Sequence, residues 1–284
     1  MRQDIRCAER VINPNISNFE DSELRICVNL QQFGVRFGVC RASDRTPLAL
    51  ANYEFRPSDR TFSEKVEDLL REEKLLDPSF HYGQRIFSVQ ESKSTLVPQK
   101  LYEAEHGKGY LEALFQLNGR ECLTLESEEN TVSYILSAFN AQYLKAAQTI
   151  YWRESNSIGF CSIYNYLINE AFRLRRTFKR FPLHVVLHTR ASEFDLVVVN
   201  DGGLLFINTF PYPDFDNLLY YFLYALNKLK LDMGSVALYL CGTAEQDHLL
   251  SKLERQVYNA TYLPAPNEAR FPQKMPYDRY FCCL

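Results

Sequence analysis

The chain has 284 residues, enough for a large core and about two domains at roughly 100–200 residues each. Hydrophobic residues make up 46% and charged residues 24%, which excludes a disordered chain. With 32 basic against 35 acidic side chains the formal charge is −3, so no global field draws the protein to nucleic acid or to an anionic membrane.

Arg2, Asp4 and Arg6 stand where an export signal needs an apolar stretch, and residues 218–226, the most apolar run, fall short of the ~20 needed to span a bilayer. The expectation is a cytoplasmic protein without membrane insertion. Its eight cysteines follow no CxxC spacing and read as reduced thiols. The adjacent Cys282 and Cys283 read as part of a frayed tail rather than a redox pair.

Residues 1–20 are expected as an N-terminal extension. The first clear pattern covers residues 24–30, with Leu24, Ile26, Val28 and Leu30 on one face of a strand. Gln31-Gln32 breaks it, and residues 35–39 and 48–55 give two more strands. Pro57-Ser58-Asp59 reads as a helix start. Phe62, Val66, Leu69 and Leu70 then form the apolar stripe of that helix, and residues 85–89 make a fourth strand.

Residues 96–115 read as helical, broken at Gly107-Lys108-Gly109. Residues 121–125 and 131–136 read as a hairpin, 142–147 as a short helix, 149–152 as a strand and 160–176 as a long helix. The expected first lobe spans 21–180, with an insertion at about 95–150.

From Leu183 the same element order returns. Residues 183–188, 194–199, 204–210 and 236–241 read as strands. Asn200-Asp201-Gly202-Gly203 supplies a hairpin turn, since Asn and Gly accept positive φ. Pro213-Asp214 opens a helix carrying Leu218, Leu219, Phe222, Leu223 and Leu226, so apolar that it reads as buried. Residues 247–255 read as a helix and 257–263 as a last strand. The expected second lobe spans 181–264, followed by a proline-rich tail at 265–284. Repetition of strand-period and helix-period stretches in one order signals a duplication.

Two strand-strand-strand-helix-strand units in one chain resemble the actin, Hsp70 and sugar kinase superfamily. The resemblance implies a duplicated actin-like (ribonuclease H-like) α/β fold, with two lobes that each hold a mixed sheet flanked by helices. In that superfamily two hairpin turns clamp the phosphates of ATP, with an Asp-x-Gly at the end of each first strand. Residues 26–31 resemble the first phosphate motif in outline. Residues 188–196 resemble the second, Phe194-Asp195-Leu196 fitting its back half, and Leu240-Cys241-Gly242-Thr243 resembles the adenosine motif. Over roughly residues 24–263 the chain is also similar to an uncharacterised bacterial family, domain of unknown function 3822. That similarity rests on residues 194–202, Tyr220-Tyr221-Phe222-Leu223 and Leu96-Val97-Pro98.

The chemistry departs from the superfamily's pattern. Asn29 and Gln31 stand for the first Asp and Gly, His188 and Arg190 for the second pair, and Cys241 for one adenosine glycine. Glycine serves there because backbone N–H groups must approach phosphate closely, and the carboxylate positions Mg²⁺. Asn29, Gln31, His188, Arg190, Asp195, Cys241, Gly242 and Thr243 are therefore read as a degenerate nucleotide site, with no catalytic residue, metal or cofactor. The alternative is an ATP-binding protein or ATPase with an atypical phosphate site between the lobes. An RNase H-like nuclease ranks last, because Asn29 replaces its central carboxylate.

Three further features read as structural. His184 and His188 would sit about 13 Å apart along a strand, too far to share a zinc. The basic run at residues 173–180 suits a helix C-terminus, where cations complement the dipole, rather than RNA. No GxSxG, HExxH or P-loop occurs. The expected role is a non-catalytic interaction or scaffolding module. Its inter-lobe cleft and aromatic tail (Tyr277, Tyr280, Phe281) would meet a protein partner, with no nucleic acid involved.

Overall fold

A computed structural model describes residues 4–77, 80–90, 93–151, 160–190, 192–242, 246–255, 257 and 259–263. The first sheet contains β1 (Ile5–Ile12), β2 (Leu24–Gln31), β3 (Gly34–Arg41), β4 (Pro47–Phe55) and β5 (Gln84–Val89), in the order β1-β4-β3-β2-β5. The second contains β9 (Leu183–Thr189), β10 (Glu193–Asn200), β11 (Gly203–Pro211), β12 (Val236–Gly242) and β13 (Ala260–Tyr262), in the order β11-β10-β9-β12-β13. The runs β4-β3-β2-β5 and β11-β10-β9-β12 share order and direction, antiparallel until a parallel last pair. This is the pair of mixed sheets expected from the sequence.

Residues 1–20, expected as an extension, instead supply β1, which pairs with β4 from Ile5↔Phe55 to Ile12↔Ala49. Arg6, Glu9 and Arg10 interrupt its apolar alternation, as suits a solvent-facing edge strand. Arg10 Nε donates to the buried Glu73 at 2.8 Å, and Tyr53 Oη donates to the same carboxylate at 2.5 Å. That cluster ties the edge strand to the end of the following helix.

Helix α1 (Phe62–Glu72) begins after Thr61, not at Pro57-Ser58-Asp59. The reason is a reciprocal cap: the Glu64 N–H donates to Thr61 Oγ1 and the Thr61 N–H to Glu64 Oε2. Helix α3 (Ala141–Ile150) packs beside it through Phe62 and Tyr143, whose rings meet edge-on at 5.2 Å. Tyr143, Ala146, Ala147 and Ile150 all join the first core. The strand expected at residues 149–152 is therefore absent, because the helical stripe runs on to Ile150; Trp152 lies outside the described residues.

The expected helix at residues 96–115 is mostly something else. β6 (Lys93–Pro98) pairs with β8 (Ser133–Asn140), which pairs with β7 (Glu121–Glu128) in a third sheet. Only α2 (Gly107–Glu112) is α-helical there, so the Gly-Lys-Gly step opens that helix instead of breaking one.

Helix α4 (Ile163–Thr177) falls within the expected first lobe yet packs on β9 and β10 of the second sheet, through Leu167, Ile168, Ala171 and Leu174. Helix α5 (Phe215–Lys228) covers the other face through Leu218, Phe222 and Leu226. A sheet buried on both faces explains the near-continuous apolar run of β10. The aromatic helix is only half buried: Tyr220 and Tyr224 are exposed and stacked at 5.9 Å. A last helix, α6 (Gln246–Leu253), precedes β13. Among the described residues no helix is long and apolar enough to cross a membrane, and six cysteines are free thiols. Cys282, Cys283 and the aromatic tail lie outside the described residues.

The third sheet holds α4 by its start. Glu126 on β7 accepts from the Ser162 N–H at 2.5 Å and from Asn165 Nδ2 at 3.0 Å. Burial pushes this carboxyl up to about 7, the two hydrogen bonds offsetting it only in part. Its pKa is raised on folding, so the stability it contributes is full below its unfolded value near 4.3 and is lost as pH rises through 7. Glu126→Gln, which cannot ionise, should therefore gain stability over the wild type as pH rises from 4 to 8 in urea melts. A difference independent of pH would contradict this.

Candidate functional site

The two first-strand ends bring the predicted site residues to the inner corner of each sheet. β2 and β3 are closed by a two-residue turn, Gln32-Phe33, with Gln31 opposite Gly34. Gly34 is required by packing, since a Cβ there would lie 2.0 Å from the Tyr53 carbonyl oxygen. Asn29 is buried and its Nδ2 donates to Ser88 Oγ at 2.8 Å. Gln31 Nε2 donates to Asn29 Oδ1 at 2.8 Å. The two amides thus engage each other and β5.

The second corner centres on Asp195, which has no solvent exposure. It lies opposite His188 across the β9–β10 ladder, and His188 Nδ1 is 2.9 Å from its Oδ2. Arg190 Nη2 donates to Oδ1 at 2.8 Å, and Thr209 Oγ1 from β11 donates to the same oxygen at 2.6 Å. Tyr164 Oη on α4 lies 3.1 Å from Thr209 Oγ1. Burial opposes the Asp195 charge, but Arg190, His188 and Thr209 outweigh it and hold the carboxyl below its ordinary range. For Arg190, burial works against the charge and is outweighed by Asp195 and Glu193, which raise its pKa.

Arg190 also reaches the other sheet. Its Nη1 donates to the Gln90 carbonyl at 2.8 Å, while the Gln90 N–H donates to Leu30 O, one residue before Gln31. Tyr212 Oη donates to the Arg190 carbonyl at 2.5 Å and fixes the turn from outside. Arg190 is 4% exposed, so its guanidinium is a buried bridge between the sheets rather than a surface charge.

Cys241 and Gly242 end β12. Gly242 pairs with Thr189 at φ +112°, and a Cβ there would meet the Thr189 carbonyl oxygen at 2.0 Å. Close strand approach thus gives this glycine a packing role of its own. Cys241 is buried, and Thr243 lies outside the described residues. The two histidines do not cooperate: His184 Nε2 is 3.1 Å from Phe181 O, and its ring stacks on Tyr239 at 5.9 Å.

The structure therefore joins Asn29 to Gln31, and His188 to Arg190 and Asp195. Sequence reasoning missed Thr209, Tyr164, Tyr212 and Gln90. None carries a motif, and each arrives from an element outside the hairpin. Asp195 Oδ1 already accepts from a guanidinium and a hydroxyl, and Oδ2 lies against His188 Nδ1, so a metal ion here would have to displace them. The basic run disperses too: Arg173 pairs with Glu170 at 2.8 Å, Arg175 donates to the Asn200 carbonyl at 2.5 Å, and Arg180 lies 5.5 Å from the Phe181 ring centroid.

The family described as "Protein of unknown function (DUF3822)" matches residues 13–258. Among solved structures, the chain is similar to a Bacteroides thetaiotaomicron protein with an actin-like ATPase fold and unknown function. The TM-score is 0.70 at 16% identity, covering 84% of this chain and 90% of that one. It is also similar to the PilM-PilN type IV pilus biogenesis complex, with TM-score 0.51 at 12% identity over 88% of this chain and 92% of that one. These likenesses show the actin-like ATPase fold. A comparison with the curated proteins finds no match.

Removing the Asp195 charge would strand Arg190 without its main partner in a dry site. Asp195→Asn should lower stability by about 3–5 kcal/mol at pH 7, measured by urea denaturation. Because the Asp195 pKa is depressed on folding, its contribution is present above the unfolded value and is lost as pH falls through the folded one. The deficit of the variant should therefore shrink in acid. A loss under about 1 kcal/mol, the range of exposed pairs, would show that the network adds little.

Proposed function

We propose that this chain, which belongs to the DUF3822 family, is a non-catalytic interaction or scaffolding protein. On this reading its ancestral phosphate site has become a lock between the two lobes. The observation that carries the reading is the Arg190–Asp195 ion pair, buried at 2.8 Å with a second Arg190 hydrogen bond onto Gln90, the residue after β5 of the first sheet. In the superfamily that the sequence resembles, the corresponding turn leaves room for phosphate. Here a guanidinium already satisfies the carboxylate, and the Asn29–Gln31 pair engages itself on the opposite hairpin. Asn29, Gln31, His188, Arg190, Asp195, Cys241, Gly242 and Thr243 would then be relics of a nucleotide site, and the matching strand orders a relic of duplication. A fixed inter-lobe angle suits a module that presents one shape to a partner, and one structural relative, PilM, is known in complex with PilN.

Mg-ATP provides the test. A ligand at about 1,000 times its dissociation constant stabilises a fold by about 4 kcal/mol, readily seen as a raised Tm. The expected result is that millimolar ATP gives the same Tm with Mg²⁺ as with EDTA, and no phosphate release above background. A Mg²⁺-dependent rise in Tm that is abolished in Asn29→Leu would instead favour an ATPase with an atypical site. Gly242 is unsuitable for this purpose, because any side chain there collides with Thr189.

A further inference from the structure

We propose that a cavity between the polar face of the first sheet and α4 binds a small phosphorylated molecule. The cavity has a volume of about 410 Å³. That lies within the range of small-molecule sites, roughly 300–1,000 Å³. Its charged end lies away from the nucleotide-like corner, Arg25 being six residues before Gln31, about 20 Å along β2, while its wall extends to Ser88, the hydrogen-bond partner of Asn29. The proposal does not rest on the inter-lobe lock.

Strand alternation builds one wall. Leu24, Ile26, Val28 and Leu30 point into the first core, which turns Arg25 and Cys27 to the opposite face, where they line the cavity. Arg45, from the β3–β4 turn, and Arg173 and Arg176, from the last turns of α4, bring the lining arginines to four. The one carboxylate among the described lining residues, Glu170, is held by Arg173. An excess of positive charge therefore faces the cavity.

A separate observation points to a ligand. Among the described residues, Arg25 Nε is buried and has no hydrogen-bond partner. A buried donor left unpaired is costly, and a shift of the Arg25 side chain into the cavity would let an incoming acceptor satisfy it. Arg45 is a non-glycine residue at φ 55°, a backbone state rarely adopted without a local reason, and its side chain is exposed. Guanidinium forks match phosphate oxygens in geometry as well as charge, which favours phosphate over a monocarboxylate. Burial pushes the Cys27 and Cys161 thiols in the wall up to about 12, so they stay protonated and offer no nucleophile. The site is one of binding, not of covalent chemistry. Its concavity suits a small molecule rather than a nucleic-acid duplex, whose phosphates run along a rod.

The test is calorimetric titration of the full chain in EDTA with orthophosphate, pyrophosphate or adenosine monophosphate, alongside thermal melts. Pyrophosphate or adenosine monophosphate should bind and raise Tm. Arg45→Ala and Arg176→Ala alter exposed side chains, so both should fold, and each should weaken binding about tenfold. Arg190→Ala should leave binding unchanged. A full response to orthophosphate alone would assign an inorganic ion to the same site, whereas a stronger response to adenosine monophosphate would assign an organic phosphate. Silence from all three probes, or binding that survives the Arg45→Ala/Arg176→Ala double variant, would overturn the proposal. So would RNA binding that depends on these arginines without any response to the small probes.

Discussion

A carboxylate cut off from water stays ionised only where donors replace its hydration, and Asp195 gathers a guanidinium, an imidazole and a hydroxyl within 2.9 Å. Those donors come from β9, from the turn after it, and from β11, so the charge organises three strands at once. The guanidinium then spends its remaining reach on Gln90, the residue after β5 of the first sheet. One buried ion pair thereby fixes the second hairpin and ties it across the cleft. Breaking such a pair from one side is severe, because the partner left behind stays buried and charged. The relative placement of the two sheets depends on this contact more directly than on any other polar group at the corner.

Helix α4 connects the same corner to the rest of the chain. Its inner face packs on the second sheet, Tyr164 reaches the hydroxyl of Thr209, and its start is held by Glu126 from the third sheet. Its outer face, with Arg173 and Arg176, looks across a cavity toward Arg25 on the first sheet. The asymmetry of the two sheets explains why a cavity forms there. Against α4 the second sheet presents Val186 of β9 and Val197 and Val199 of β10, whereas β2 alternates and turns Arg25, Cys27 and Asn29 away from its core. A polar face cannot close against a helix as tightly as an apolar one.

The strands that make the two matching sheets were legible because their alternation is strong. Leu24, Ile26, Val28 and Leu30 in β2, and the Asn-Asp-Gly-Gly turn after β10, point to one arrangement. β1 was not legible, since an edge strand needs only half a face buried and can carry charges on the other. Leu96-Val97-Pro98 was misread because three apolar residues fit a short strand and a helix equally well. The tyrosines of α5 showed that apolar composition all round a helix does not imply burial all round. At the site, the loss of the Asp-x-Gly pattern was visible in Asn29, Gln31, His188 and Arg190. That Arg190 would turn inward onto Asp195 was not visible, because its further partners Tyr212 and Gln90 lie 22 or more residues away and follow no motif.

The most direct measurement is a crystal structure of the full chain grown with Mg²⁺ and a non-hydrolysable ATP analogue at millimolar concentration. The expected density keeps the Arg190 guanidinium on Asp195 and on the Gln90 carbonyl, with no phosphate between the Gln32-Phe33 turn and the β9–β10 turn. Density for a triphosphate in that space, with Arg190 swung away from Asp195, would contradict the lock and restore a working nucleotide site.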